Sequence, residues 1–101
     1  MEKIKLLYVD DEVENLTGFK FVFRKKYKIL LASSGKEALQ VLEDQPEDNP
    51  IQLVLSDQKT PKMTGVQLLE IVAKKYPKAI RMVVMQIHFQ TVGKGGFTRS
   101  N

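Results

Sequence analysis

Four short apolar runs, separated by three helical patterns, constrain this chain more than any other feature. "IKLLYV" (Ile4 to Val9) stops on Asp10, Asp11 and Glu12 and predicts a buried strand. Leu16, Phe19 and Phe23 then recur at helical spacing with Val13 and Val22 beside them, so Val13 to Lys26 predicts an amphipathic helix. Phe19 and Phe23 belong to its core face, and Phe21 is an outward contact. "KILLA" (Lys28 to Ala32) is a second strand. Ser34 and Glu37 form a capping box before a helix that turns Ala38, Val41 and Leu42 inward. After the polar loop Gln45 to Pro50, "IQLVLS" (Ile51 to Ser56) is a third strand. Thr64 and Gln67 make a second capping box for a helix carrying Leu68, Leu69 and Val72, which stops near Pro77. "AIRMVVM" (Ala79 to Met85) is the fourth strand.

Strand and helix alternating in this way predict an α/β fold with a parallel sheet and helices on both faces. The chain's 101 residues are enough for one domain. With 43% hydrophobic and 28% charged residues, the composition is that of a soluble globular chain. No apolar run approaches the ~20 residues of a membrane span, and "MEKIKLLYVDDE" turns acidic too soon for a signal peptide. The absence of cysteine excludes a disulfide framework and thiolate metal sites and suits a cytoplasmic location. The net charge of +4 comes largely from "RKKYK" and "KKYPK", both at predicted helix ends where cations complement the helix dipole. Aromatic residues follow the core pattern instead of lying among these bases, so no nucleic-acid surface is expected.

Right-handed crossovers bring the carboxyl ends of parallel strands to one edge, where open sheets of this kind bind ligands. Asp10, Asp11 and Asp57 all fall there. Clustered carboxylates repel, and a shared proton or a cation relieves them. Oxygen donors without histidine or cysteine favour Mg2+ or Mn2+, and such an ion beside an exposed aspartate prepares it to receive a phosphoryl group. The plainer alternative stays open for Asp10, Asp11 and Glu12, which also suit the cap and first turn of a helix. Asp57 has no helix directly after it to cap.

"LLYVDDE" and "LVLSDQKTPKMTG" resemble the two acidic signatures of response-regulator receiver domains, and the similarity continues through "YPKAIRMVVM", covering about residues 4 to 85. The resemblance implies a flavodoxin-like sheet with Asp57 as phosphoacceptor in a two-component phosphorelay. It also implies Mg2+ (or Mn2+) held by Asp11, Asp57 and the main-chain carbonyl of Lys59, with Asp10 assisting through water. Pro61 and Gly65 match the turn that shapes the loop. The implied partner is a sensor histidine kinase or a small phosphodonor, and the implied role is that of a signalling module, not an enzyme.

Beyond Val84 the chain departs from the family, which continues with a helix, a strand and a final helix. The fold is therefore expected to be incomplete, with about four β/α units in a core over residues 1–85 and an atypical tail over 86–101. Gln86 stands where the family carries a hydroxyl, and no Lys-Pro pair follows. Lys94 in "GKGG" is the one lysine left to replace the family's, and Thr91 a candidate hydroxyl; "GKGG" lacks the spacing of a phosphate-binding P-loop. His88, the single histidine, suits a surface or interface role.

Three functions follow from these residues. The first is a receiver that accepts a phosphoryl group, impaired by its altered end. The second is a signalling-incompetent fragment that acts only by oligomerising: Ile4, Leu6, Val83 and Met85 are expected to be poorly shielded, with Ile87, Phe89, Val92 and Phe97 as added contacts in a homo-oligomer. The third, an aspartate-nucleophile phosphatase, needs a second acid two residues after Asp57, where this chain has Lys59.

Overall fold

The computed structural model describes residues 3–59 and 62–84. Pro61 and the tail positions Met85, Gln86, Ile87, His88, Phe89, Thr91, Val92, Lys94 and Phe97 lie outside the described residues. The elements run β1 (Ile4–Val9), α1 (Val13–Phe23), β2 (Tyr27–Ala32), α2 (Gly35–Asp44), β3 (Leu53–Asp57), α3 (Gly65–Lys75) and β4 (Ile80–Val84). The strands form one parallel sheet in the order β2-β1-β3-β4, so the expected α/β architecture is present.

The helix ends follow from local chemistry. Thr64 and Gln67 close a reciprocal capping box on α3: the Gln67 N–H donates to Thr64 Oγ1 at 3.1 Å and the Thr64 N–H donates to Gln67 Oε1 at 2.9 Å. The α2 box is only half formed. The Glu37 N–H donates to Ser34 Oγ, but the Glu37 carboxylate accepts from the N–H and hydroxyl of Ser33 instead of the Ser34 N–H. At the end of α1, the chain leaves the helix after Phe23, three residues before the predicted Lys26.

Strand alternation divides the core into two layers. Leu7, Val9 and Val54 face α2 and α3, where Ala38, Leu42, Leu68, Leu69 and Val72 close over them. Leu6, Tyr8 and Ile29 face α1 and pack against Leu16 and Phe19. Phe23 packs on this second layer and Phe21 is exposed beneath the Arg24 guanidinium, as the spacing predicts. Val13 and Val22, by contrast, lie on the exposed side of α1.

The two layers are unequally covered. α1 packs on the β2 side of its face. Toward β4 on that same face, Ile80 is 64% and Met82 53% exposed, and Leu53 and Leu55 are half-buried. The exposed apolar surface is thus only partly where the sequence placed it. Ile4 is exposed, but Leu6 is buried under α1 and Val83 packs against the α2–α3 layer. Among the described residues β4 pairs only with β3, so its outer edge has no strand partner.

Candidate functional site

From β1 the chain crosses to β2 on one side of the sheet and later to β3 on the other, so strand order reverses between β1 and β3. In open parallel sheets the crevice at the carboxyl ends beside such a reversal is where ligands bind. The register pairs Val9 with Ser56, which sets Asp10 and Asp57 side by side at that crevice.

Asp10 is fully buried and holds three hydrogen bonds. Its Oδ2 accepts from the Tyr8 hydroxyl at 2.6 Å and from Asn15 Nδ2 at 3.0 Å, and its Oδ1 accepts from the Glu12 N–H at 2.9 Å. The capping reading does not hold: the N-cap residue of α1 is Glu12, whose side chain makes no capping bond, and Asp10 accepts from the Glu12 N–H just before the helix, tying down its entry. The carboxylates of Asp10, Asp11 and Glu12 each bring an oxygen within 4.8 Å of the others, and Asp11 and Glu12 are exposed. Glu12 is an oxygen donor that sequence reasoning assigned to capping alone.

Asp57 is half-buried at the end of β3. Burial, then the charge of Asp10, lifts its carboxyl above the usual carboxylate range, and Asp11 adds to the lift. The backbone N–H groups of Gln58 and Lys59 act against it by stabilising the anion. Lys59 is exposed beside it. The following loop is held close. The Gly65 N–H donates to the Gln58 carbonyl at 3.1 Å, and Gln58 Oε1 accepts from the Val66 N–H at the start of α3. Lys62 turns this loop through the left-handed region, with φ of 64°.

Asp10, Asp11 and Glu12 form an all-oxygen cluster, with Asp57 near enough to feel the charges of Asp10 and Asp11; such donors suit a hard cation such as Mg2+ or Mn2+ and offer nothing to a thiophilic metal. Tyr8 and Asn15 complete the site from behind. One signal in the sequence points to Tyr8: positions two apart on a strand share a face, so a tyrosine two residues before a strand-end aspartate is placed to meet it.

The raised carboxyl of Asp57 has a consequence for stability. The folded chain keeps this proton to a higher pH than the unfolded chain does, so the folded state binds more protons across the interval between the two values. Stability without metal therefore falls as pH rises through that interval, and ionised Asp57 is a net burden at neutral pH. Asp57→Asn should raise the Tm by a few degrees at neutral pH and flatten the decline. Below the ordinary carboxylate range the two proteins should converge. Melting curves in chelator from about pH 4 to about pH 8 check this; parallel curves for the two proteins would refute it.

Comparison with known proteins places this geometry in a family. The response regulator receiver domain profile matches residues 6–93, reaching past residue 85 where the resemblance read from sequence stopped. The hydrogenase transcriptional regulatory protein HoxA of Cupriavidus necator is 32% identical over 79 residues, 78% of this chain and 16% of that protein. The two-component response regulator ORR3 of Oryza sativa subsp. indica is 34% identical over 82 residues, 79% of this chain and 60% of that protein. The chain thus spans about a sixth of the first relative's length and three-fifths of the second's. A crystal structure of a response regulator receiver domain protein from Clostridium thermocellum superposes with a TM-score of 0.71 at 31% identity, covering 78% of this chain and 62% of that one. With the strand order, the strand-end carboxylates and these matches in agreement, the chain belongs to the response regulator receiver domain family of two-component systems.

Proposed function

We propose that this chain accepts a phosphoryl group on Asp57 from a sensor histidine kinase or a small phosphodonor. Asp11, Asp57 and the Lys59 carbonyl would hold Mg2+ or Mn2+, with Asp10 acting through water. The position of Asp57 carries this reading. It is a half-exposed carboxylate at the end of an interior strand, close enough to Asp10 and Asp11 to feel their charge, with the backbone N–H groups of Gln58 and Lys59 favouring its anion. When bound, the cation supplies charge neutralisation between these carboxylates and the phosphoryl oxygens. An Asp57 oxygen forms the new bond to phosphorus as the donor's P–N or P–O bond breaks, and the bonding pair leaves with the imidazole or carboxylate. A cytoplasmic location suits this role. The boundary near residue 85 belongs to the same proposal.

Transfer is slow in this reading. Gln86 occupies the position of the family's hydroxyl, and Lys94 is the one lysine beyond it, so the developing charge has fewer donors. Incubation with acetyl phosphate and Mg2+, followed by intact-mass analysis, should give partial addition of a single phosphoryl group that Asp57→Asn abolishes. No addition at all, or addition that survives Asp57→Asn, would overturn the phosphoacceptor reading. Fast, complete addition would overturn the slow-transfer part and make Lys94 the next residue to change.

The exposure of Ile80 and Met82 beside a β4 edge that has no strand partner among the described residues favours a second reading, association with another copy of the chain. Two β4 edges related by a two-fold axis run antiparallel, so they are able to pair and bury this apolar strip at once.

A further inference from the structure

We propose that Tyr8 is a positioning residue for the cation site, an inference that rests on reading Asp10, Asp11 and Asp57 as that site. Asp10 is a buried carboxylate whose oxygens are unequally engaged. Oδ2 is held by two side-chain donors, the Tyr8 hydroxyl at 2.6 Å and Asn15 Nδ2 at 3.0 Å, while Oδ1 is held by one backbone donor, the Glu12 N–H. A carboxylate offers about four acceptor positions, so the free one lies on Oδ1. The Tyr8 hydroxyl, with Asn15 and the Glu12 N–H, thereby sets which oxygen Asp10 presents to the cation or its water. The hydroxyl is itself fixed. Tyr8 is fully buried and its ring stacks on Phe19 at 4.2 Å with an interplanar angle of 17°. The stack on Phe19 thus fixes the hydroxyl that meets Asp10 in the crevice. Without the hydroxyl, Oδ2 keeps only Asn15, and two donors instead of three hold the carboxylate in its pose.

Tyr8→Phe keeps the ring stack and removes one oxygen. Losses of a partner that orients a metal ligand typically cost 10–100-fold in affinity, so Mn2+ affinity, read from the free-ion electron paramagnetic resonance signal, should weaken about tenfold. Ile29→Val loosens the same core layer without touching Asp10 and should leave the affinity unchanged. A second readout needs no Tyr8 variant. In the full wild-type chain the Tyr8 Cζ resonance, assigned by elimination with Tyr27→Phe and Tyr76→Phe, should shift when Mg2+ is added, because a change at Asp10 alters the hydrogen bond. Wild-type Mn2+ binding with unchanged affinity in a folded Tyr8→Phe would overturn this proposal alone. If that variant does not fold, a Cζ resonance unmoved by saturating Mg2+ overturns it. Failure of the wild type to bind either ion would overturn the cation site and this inference together.

Discussion

Gly65→Ala is expected to lower the Tm by on the order of 10 °C and to reduce beryllofluoride occupancy at Asp57 by about tenfold or more. Two opposed effects meet at this position, the first residue of α3. Alanine is the better helix former by up to ~1 kcal/mol. Its Cβ, however, would stand 2.8 Å from the Asp57 carbonyl oxygen and 3.2 Å from Gln58 Cα. Both are backbone atoms, and the Gly65 N–H bond to the Gln58 carbonyl holds the segments together. Relief therefore requires moving the end of β3 away from α3. Overpacking of this kind typically costs ~1–3 kcal/mol, so the clash outweighs the propensity gain. The same movement displaces Asp57. Gly35→Ala is the informative comparison, because there the three nearest atoms all belong to the Met63 side chain, its sulfur nearest at 2.5 Å, and none to backbone. Its cost should be small. A Gly65→Ala protein with the parent's Tm and unaltered beryllofluoride binding would refute the argument.

Most of the fold is legible because period and punctuation agree along the chain. The first three apolar runs end at a carboxylate or before a cap, and among the described residues four strands and three helices fall close to the predicted places. The errors have specific causes. Helical spacing marked Val13 and Val22 as partners of Leu16 and Phe19, yet α1 lies on the β2 side of its sheet face and those two valines are left outside. The third strand was read from Ile51, which is buried but precedes the ladder; Gln52 joins its edge through bonds to Lys5 and Ile80. Shielding of Leu6 and Val83 depended on which sheet face each helix covers, and a single strand's alternation does not carry that information.

The site divides in the same way. Asp10, Asp11 and Asp57 were readable because a strand-end aspartate in a parallel sheet has one edge to go to, and topology makes two of them neighbours. The place of Asp10 at the entry to α1 was also readable, although it holds the chain there by accepting from the Glu12 N–H and not by capping the helix. The two roles are compatible because a carboxylate has acceptor positions enough for both. The approach of Glu12 to the cluster and the hold of Asn15 on Asp10 were not readable. Both depend on the angle at which α1 leaves β1, a tertiary quantity without a sequence period.

Association through the β4 face is expected to make the chain's solution mass concentration-dependent. Met82→Lys should shift it toward monomer by about tenfold or more in dissociation constant. Apolar burial is worth about 25 cal/mol per Å2, so each ~100 Å2 that a partner covers contributes ~2.5 kcal/mol. Ile80 and Met82 are more than half exposed and Leu53 and Leu55 half-buried on one face, so four neighbouring side chains stand to gain. Pairing of the β4 edges would satisfy backbone groups that have no strand partner among the described residues. A lysine at position 82 sets a charge in the middle of the strip and against its own symmetry mate, which penalises the dimer while leaving the monomer core intact. Phe21→Lys is the control. Phe21 is 66% exposed on α1 beneath Arg24, and belongs to no such strip. Light scattering across a dilution series should therefore separate the two variants. A wild-type chain that remains monomeric at the highest concentration, with one sharp thermal transition, would refute self-association and direct attention to residues 85–101 as the cover for this face.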